Sequence, residues 1–168
     1  MKARDDVAYR LALAGGFLAE AEQDVGLERW RSCVDNAQLA VEKAGKAVLT
    51  LFGVTPKTHD PAHEIAAVLR TQDLSATIRE ILSLMLPDLL TLGSTEHFLT
   101  DYGDEATYTL PSDLFTKESA EEALAAARRS IQASQNAIEA IRAWQKEQTV
   151  RNVQGCRLEG GVLSLSKG

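Results

Sequence analysis

The sequence has few of the features that mark secreted, metal-binding or membrane-spanning proteins. Its 168 residues include two cysteines, Cys33 and Cys156, which are too few for a disulfide framework. No CxxC pair or Cys/His cluster has zinc-site spacing, so we expect no metal or other cofactor. No apolar run approaches the ~20 residues of a membrane-spanning helix, and the first residues lack the apolar core of a signal peptide. We therefore expect a cytoplasmic protein with no membrane partner.

Positive charge is also scarce, and the deficit is local. Lys and Arg number 18 against 24 Asp and Glu, giving a formal net charge of −6. Residues 94–122 carry eight acids and one base, whereas residues 123–168 carry three acids and seven bases. Tight, sequence-independent binding to nucleic acid depends on cations that neutralise phosphates. The acidic stretch therefore disfavours RNA as a partner.

Hydrophobic periodicity predicts helices along the whole chain. Apolar or small residues recur at steps of three and four over residues 7–25, 30–51 and 120–141, which is typical of three long helices. Asp60 followed by Pro61 predicts the start of a shorter helix, and Asp73 or Ser75 predicts another, which Pro87 should end or kink. Thr116 or Ser119 is expected to cap the last long helix, and Ser119 with Glu122 has capping-box spacing.

These elements predict an all-α fold. The simplest arrangement is an antiparallel helical bundle of three long helices plus two or three short ones, over residues 1–146. Residues 147–168 show little periodicity and are expected to form a poorly structured or loosely docked tail. Gly15, Gly16 and Gly45 lie inside the long helices, where close approach of helix backbones is the expected reason for a glycine.

Four short motifs follow one another along the chain. The first is Cys33-Val-Asp-Asn-Ala-Gln-Leu-Ala-Val-Glu-Lys-Ala-Gly-Lys-Ala-Val-Leu49, and the others are the segments 57–60 (KTHD), 96–105 (EHFLTDYGDE) and 120–124 (AEEAL). In this order they resemble segments of the HEPN family, named for higher eukaryotes and prokaryotes nucleotide-binding, and the first is similar to the family's second helix. Together they extend the resemblance over roughly residues 7–145.

The resemblance implies a function as well as a fold. HEPN domains are all-α bundles that commonly form homodimers, and many pair with nucleotidyltransferases, often as toxin–antitoxin systems. Catalytic members are metal-independent ribonucleases with an Arg-x(4–6)-His motif, in which His would transfer protons and Arg would steady phosphate charge. No histidine of this chain has an Arg at that spacing, and Asp101 stands where relatives often have Arg.

We therefore expect a non-catalytic, dimeric binding or interaction module that pairs with a nucleotidyltransferase. Two alternatives stay open. One is an RNA-cleaving toxin with a degenerate site, for which His59 and His97 are the weak catalytic candidates. The other is a protein that binds a nucleotide or another small ligand. The candidate ligand-binding residues are Lys43, Lys46, Lys57, His59 and Tyr102.

Two of these features also have structural explanations. Lys43 and Lys46 fit a solvated helix face with ordinary ion pairs as well as a phosphate contact. The segment 94–115 holds four of the nine aromatic residues and five acids. It could form an aromatic-anchored loop over the bundle end, or a docking surface where aromatics provide burial and acids attract a basic partner. The candidate partner-docking residues are Phe98, Asp101, Tyr102, Asp104 and Glu105.

Overall fold

The structure, a computed structural model, describes residues 2–54, 60–93 and 99–159. Its helices are α1 (Lys2–Gly26), α2 (Trp30–Thr50), α3 (Pro61–Thr71), α4 (Ala76–Thr91), α5 (Pro111–Leu114) and α6 (Lys117–Glu159). Residues 99–102 are helical as well. The predicted all-α bundle is confirmed. Within the described ranges, none of the helices combines the length and apolar character needed to cross a bilayer.

Helices α1, α2 and α6 form the body of the bundle, with α2 at its centre. A short turn over residues 27–29 reverses the chain, so α1 and α2 run antiparallel. The Cys33 thiol donates to the carbonyl of Ala120, and the Gln145 amide donates to the carbonyl of Leu51. These contacts at both ends of α2 show that α6 lies alongside its whole length. Most α2 side chains are consequently buried.

The two shorter helices begin where their capping residues predict. The Asp60 carboxylate accepts a hydrogen bond from the amide of Ala62 at 3.1 Å, and Pro61 occupies the first helical position. The Ser75 hydroxyl accepts from the amide of Ile78 at 3.4 Å. Each cap satisfies a backbone donor that the first turn of a helix leaves unpaired.

Thr116 caps α6, and its partner is not the one that the spacing suggested. The Ser119 amide donates to the Thr116 hydroxyl at 3.3 Å, and the Thr116 amide donates to the Ser119 hydroxyl at 2.9 Å. This reciprocal pair has the geometry of a capping box, with Ser119 replacing the usual Glu or Gln. The predicted capping box of Ser119 and Glu122 is therefore wrong, because the box forms one turn earlier, between Thr116 and Ser119.

Two helices are longer than the sequence predicted. Helix α4 passes through Pro87 and ends at Thr91, so this proline does not divide it. Proline removes only one intrahelical hydrogen bond, and position 83, whose carbonyl loses that bond, is exposed. Helix α6 continues past residue 146 to Glu159, because Gln, Glu, Lys and Arg favour helices without needing a buried face. The boundary at residue 146 stays a prediction, but residues 147–159 are helical.

The glycines inside helices divide into two kinds. A Cβ on Gly45 would lie 3.0 Å from Leu89 Cδ2 and 3.1 Å from Pro61 Cβ, so close packing explains this glycine. A Cβ on Gly15 or Gly16 would meet nothing within 4 Å. For that pair the expectation of close helix packing is wrong within the described chain.

Candidate functional site

Lys43 and Lys46 share one carboxylate in the interior of the bundle. Their ammonium nitrogens lie 2.8 Å and 2.7 Å from the same Oε1 of Glu42. The side chains of Glu42 and Lys46 are 1% and 9% exposed, and that of Lys43 is 21% exposed. The ion pairs expected for these lysines are therefore present, but the explanation that they lie on a solvated helix face is wrong. They form a buried ion-pair cluster, which we call the Glu42 cluster.

The packing around Gly45 explains why this cluster is buried. Because Gly45 has no side chain, Pro61 of α3 and Leu89 of α4 pack directly against this turn of α2. Charges removed from water need partners, and Glu42 provides one for both lysines. The cluster therefore belongs to the interior, where its ammonium groups are directed to Glu42. A ligand contact by Lys43 or Lys46 stays a prediction.

Part of the segment predicted to dock a partner is anchored on α2. The Arg31 guanidinium donates to the carbonyl of Thr100 at 2.8 Å, and the Thr100 hydroxyl donates to Asp35 Oδ1 at 3.2 Å. Thr100 is fully buried. These two bonds hold helical residues 99–102 against the N-terminal half of α2. Further along, the ring of Phe115 is buried in the core, so both ends of the intervening segment are fixed.

Between these anchors the chain makes a tight, hydrogen-bonded turn. Asp104 and Thr109 exchange both backbone hydrogen bonds, each 3.0 Å long. The Asp104 carboxylate also accepts from the amides of Ala106 and Thr107, at 2.9 Å and 3.4 Å. Hydrogen bonding, chiefly with Thr107, lowers the pKa of Asp104 below its ordinary value. Because the carboxylate stabilises this turn, Asp104 has a structural role whether or not it touches a partner.

Two residues of the turn have left-handed backbone conformations. Gly103 has φ +73°, and a Cβ there would collide with the carbonyl oxygen of Thr109, so the position requires glycine. Tyr108 has φ +56°, which is uncommon for a bulky side chain. Its side chain is 92% exposed. The turn therefore presents a large aromatic ring to solvent from a constrained backbone.

Several other exposed side chains of the same segment are large or acidic. Tyr102 is 62% exposed and Leu110 is 64% exposed. Residues 99–116 contain four acids and no Lys or Arg. We call the exposed acidic, aromatic and large apolar members of this segment the acidic–aromatic surface: Asp101, Tyr102, Glu105, Tyr108, Leu110 and Asp113.

Three of the predicted docking residues, Asp101, Tyr102 and Glu105, are thus exposed in this segment. Tyr108 and Leu110 were absent from the predicted set, because periodicity gives no signal for residues outside helices. The only sequence signal was the density of aromatics among acids. Four candidate residues lie outside the described residues, so the structure does not place them. Two are the weak catalytic histidines, and the other two come from the ligand-binding and partner-docking candidates. These four are Lys57, His59, His97 and Phe98.

The described residues contain no cluster of metal-ligand side chains, and the thiol of Cys33 is not activated. No group of three His, Cys, Asp or Glu side chains suited to a metal ion occurs among them. Cys33 is buried, and burial raises the pKa of its thiol to about 11. A thiol with so little thiolate at neutral pH is a poor nucleophile, so Cys33 is a packing residue.

Comparisons with known proteins agree with the helical architecture. The model of the family described as "HEPN domain" matches residues 7–138, well over half of the chain. The crystal structure of TT1696 from Thermus thermophilus is similar, with a TM-score of 0.59 and 22% identity over 81% of this chain and 98% of that one. The crystal structure of ST0689, described as an archaeal HEPN homologue, has a TM-score of 0.53 and 18% identity over 77% of this chain and 95% of its own.

At those identities the two crystal structures establish the shared fold alone. No curated protein matches the chain. The family assignment rests on the match to the family model, which spans the bundle from α1 to about the middle of α6. This chain belongs to the HEPN domain family.

Proposed function

We propose that this HEPN-domain protein is a non-catalytic interaction module that binds a basic protein partner through the acidic–aromatic surface. The observation that carries the proposal is Tyr108. Its ring is 92% exposed at the tip of a turn that Asp104 and Thr109 close with paired hydrogen bonds. A backbone conformation that is uncommon for tyrosine is thus maintained at a place where the ring contributes nothing to the core.

The chemistry of this surface suits a partner that presents Arg or Lys. A cation over a tyrosine ring gains about 0.5–1 kcal/mol at an exposed site and about 2 kcal/mol when water is excluded. The exposed carboxylates of Glu105 and Asp113 would attract such a partner from a distance. Tyrosine also contributes apolar area at low entropic cost.

The same charges disfavour the ribonuclease alternative. The sequence contains no Arg-x(4–6)-His motif, and Asp101 would repel a phosphate at the place where related ribonucleases often have Arg. The lysines of the Glu42 cluster are directed to a carboxylate, which weakens the case for a phosphate ligand there. A nucleotidyltransferase remains the first partner class to test, since the family resemblance suggests it. We propose that its docking segment carries exposed Arg or Lys.

A peptide array tests the docking proposal even when the natural partner is unidentified. Twelve-residue peptides rich in Arg or Lys, with acidic peptides of matched length, are probed with the native protein, Tyr108→Ala and Glu139→Gln. Glu139 is an exposed acid on α6 outside the surface, so its variant is the matched control. We expect the native protein and the control to bind basic peptides, and Tyr108→Ala to bind them weakly. Equal binding by all three proteins would overturn the proposal.

An RNA-degradation assay tests the non-catalytic part of the proposal separately. Purified protein is incubated with RNA in the presence of a metal chelator, and we expect the RNA to remain intact. Cleavage that disappears in His59→Ala or His97→Ala would show a ribonuclease and contradict a non-catalytic role, whatever the peptide array shows.

A further inference from the structure

A groove lies between the C-terminal end of α4 and the N-terminal part of α6. Its volume is about 320 Å³. One wall is formed by residues 88, 91 and 92 of α4 and its end, and the floor is formed by three alanines of α6, Ala123, Ala125 and Ala126. Because alanine has only a methyl group as its side chain, this stretch of α6 leaves space beside α4. The groove is therefore apolar along its floor.

The rim of the groove carries one carboxylate that no cation inside the groove neutralises. The lining contains two acids, Asp88 and Glu122, and one base, Arg129. The Arg129 guanidinium donates to both carboxylate oxygens of Asp88, at 2.7 Å and 3.1 Å, so the charges of these two residues are matched. Glu122 is exposed and has no ion pair with another described residue. An incoming cation would thus find the Glu122 carboxylate available.

The end of α4 also favours a cation. Thr91 and Leu92 line the groove at the point where α4 ends. The last carbonyl groups of a helix carry partial negative charge, which nearby cations stabilise. The last turn of α4 contains no basic residue of its own. A cation in the groove would therefore lie close to the negative end of this helix as well as to Glu122.

A buried hydroxyl lies one turn beyond the alanine floor. Ser130 continues the line of Ala123 and Ala126 along α6, at steps of three and four, and is only 1% exposed. Its Oγ has no hydrogen-bond partner among the described residues. Side chains of an α-helix are tilted toward its N-terminus, so this hydroxyl is directed toward Ala126 and the groove. A donor that reaches past Ala126 would satisfy a group that is unfavourable to bury unpaired.

These features together suit a lysine side chain. Its aliphatic stem can lie along the alanine floor while its ammonium stays among polar groups. The ammonium has three donors that point in different directions, and the acceptors here are separated: Glu122, the end of α4 and Ser130. A guanidinium fits best against a single planar carboxylate, and the groove already contains such a pair in Arg129 and Asp88.

We infer that the groove between α4 and α6 binds a lysine side chain of a protein partner. Glu122 would pair with its ammonium, and Ala123 and Ala126 would contact its stem. The inference does not rest on the acidic–aromatic surface, because none of the residues of that surface lines the groove. A single side chain gives little binding energy by itself, so a millimolar Kd is expected for an isolated lysine derivative.

Nuclear magnetic resonance of the full chain, titrated with Nα-acetyl-lysine methylamide, tests this site. We expect saturable shifts of backbone amides in residues 88–92 and 119–130. The Nε-acetylated form of the probe keeps the stem and removes the charge, and it should cause no such shifts. Glu122→Gln should raise the Kd at least fivefold. Glu121→Gln is the matched control, because Glu121 is an exposed neighbour that pairs with Lys117 and does not line the groove.

Three results would overturn the inference: no saturable shift at the groove, equal binding of the charged and Nε-acetylated probes, or equal Kd values for the native protein and Glu122→Gln. Tighter binding of Nα-acetyl-arginine methylamide would assign the groove to a guanidinium and would overturn it as well. Circular dichroism of each variant confirms that the fold is retained. Tyr108→Ala should bind the lysine probe like the native protein, so this site and the docking of basic peptides at Tyr108 can fail separately.

Discussion

The buried Glu42 cluster makes a quantitative prediction about stability. Replacing Glu42 by Gln keeps the size of the side chain and removes its charge. Lys46, whose side chain is 9% exposed, then faces a neutral amide where the carboxylate lay 2.7 Å from its ammonium nitrogen. Removing one partner of a buried ion pair costs about 3–5 kcal/mol, because the remaining charge is left in a poorly solvated place. We expect Glu42→Gln to lower the free energy of unfolding by that amount.

Urea unfolding followed by circular dichroism measures this loss. A domain of this size has an m-value of about 2 kcal/mol/M in urea, so a loss of 3–5 kcal/mol lowers the midpoint by about 1.5–2.5 M. Lys43→Gln is the control, because it leaves the bond between Lys46 and Glu42 in place. Since Lys43 is more exposed, its loss should cost about 1 kcal/mol or less.

The relative size of the two effects tests the reasoning. If Lys43→Gln destabilised the protein as much as Glu42→Gln, burial would not determine the cost. If Glu42→Gln cost under about 1 kcal/mol, Glu42 would not be the group that neutralises the buried Lys46, and our description of the cluster would fail.

Two further predictions concern glycines inside helices and the buried thiol of Cys33. Gly15→Ala should raise the free energy of unfolding by about 0.5–1 kcal/mol, because the added Cβ contacts nothing. Gly45→Val should lower it by about 1–3 kcal/mol, because the added side chain would press against Pro61 and Leu89. Urea unfolding measures both changes, and equal changes in the two variants would refute this prediction. In a Cys156→Ser background, Cys33 should resist a thiol reagent at pH 8, because a pKa of about 11 leaves about one thiolate in a thousand and the side chain is buried. Rapid labelling of the folded protein would contradict that burial.

The helices were predictable because their signals are local. Residues at steps of three and four identified α1, α2 and about half of α6, and the caps at Asp60 and Ser75 identified α3 and α4. The predicted helix ends were less accurate, because several local effects compete there. Pro87 lies inside α4, where the carbonyl that loses its partner is exposed to water and the helix continues far enough to bury Leu89.

The candidate site was less predictable because it depends on tertiary packing. Spacing placed Lys46 near Glu42, but only the packing of α3 and α4 at Gly45 decides whether the pair is solvated or buried. The turn that presents Tyr108 depends on paired hydrogen bonds between Asp104 and Thr109, which no helical or strand period encodes. The density of aromatics and acids indicated the segment but not the residue that is most exposed.

Isothermal titration calorimetry measures directly whether this HEPN protein binds a basic partner through the acidic–aromatic surface. The titrant is the basic peptide that the native protein binds best on the array. We expect saturable binding that weakens when salt is raised, and a Kd at least tenfold higher for Tyr108→Ala than for the native protein or Glu139→Gln. Equal Kd values for all three proteins, or no binding at millimolar peptide, would contradict it.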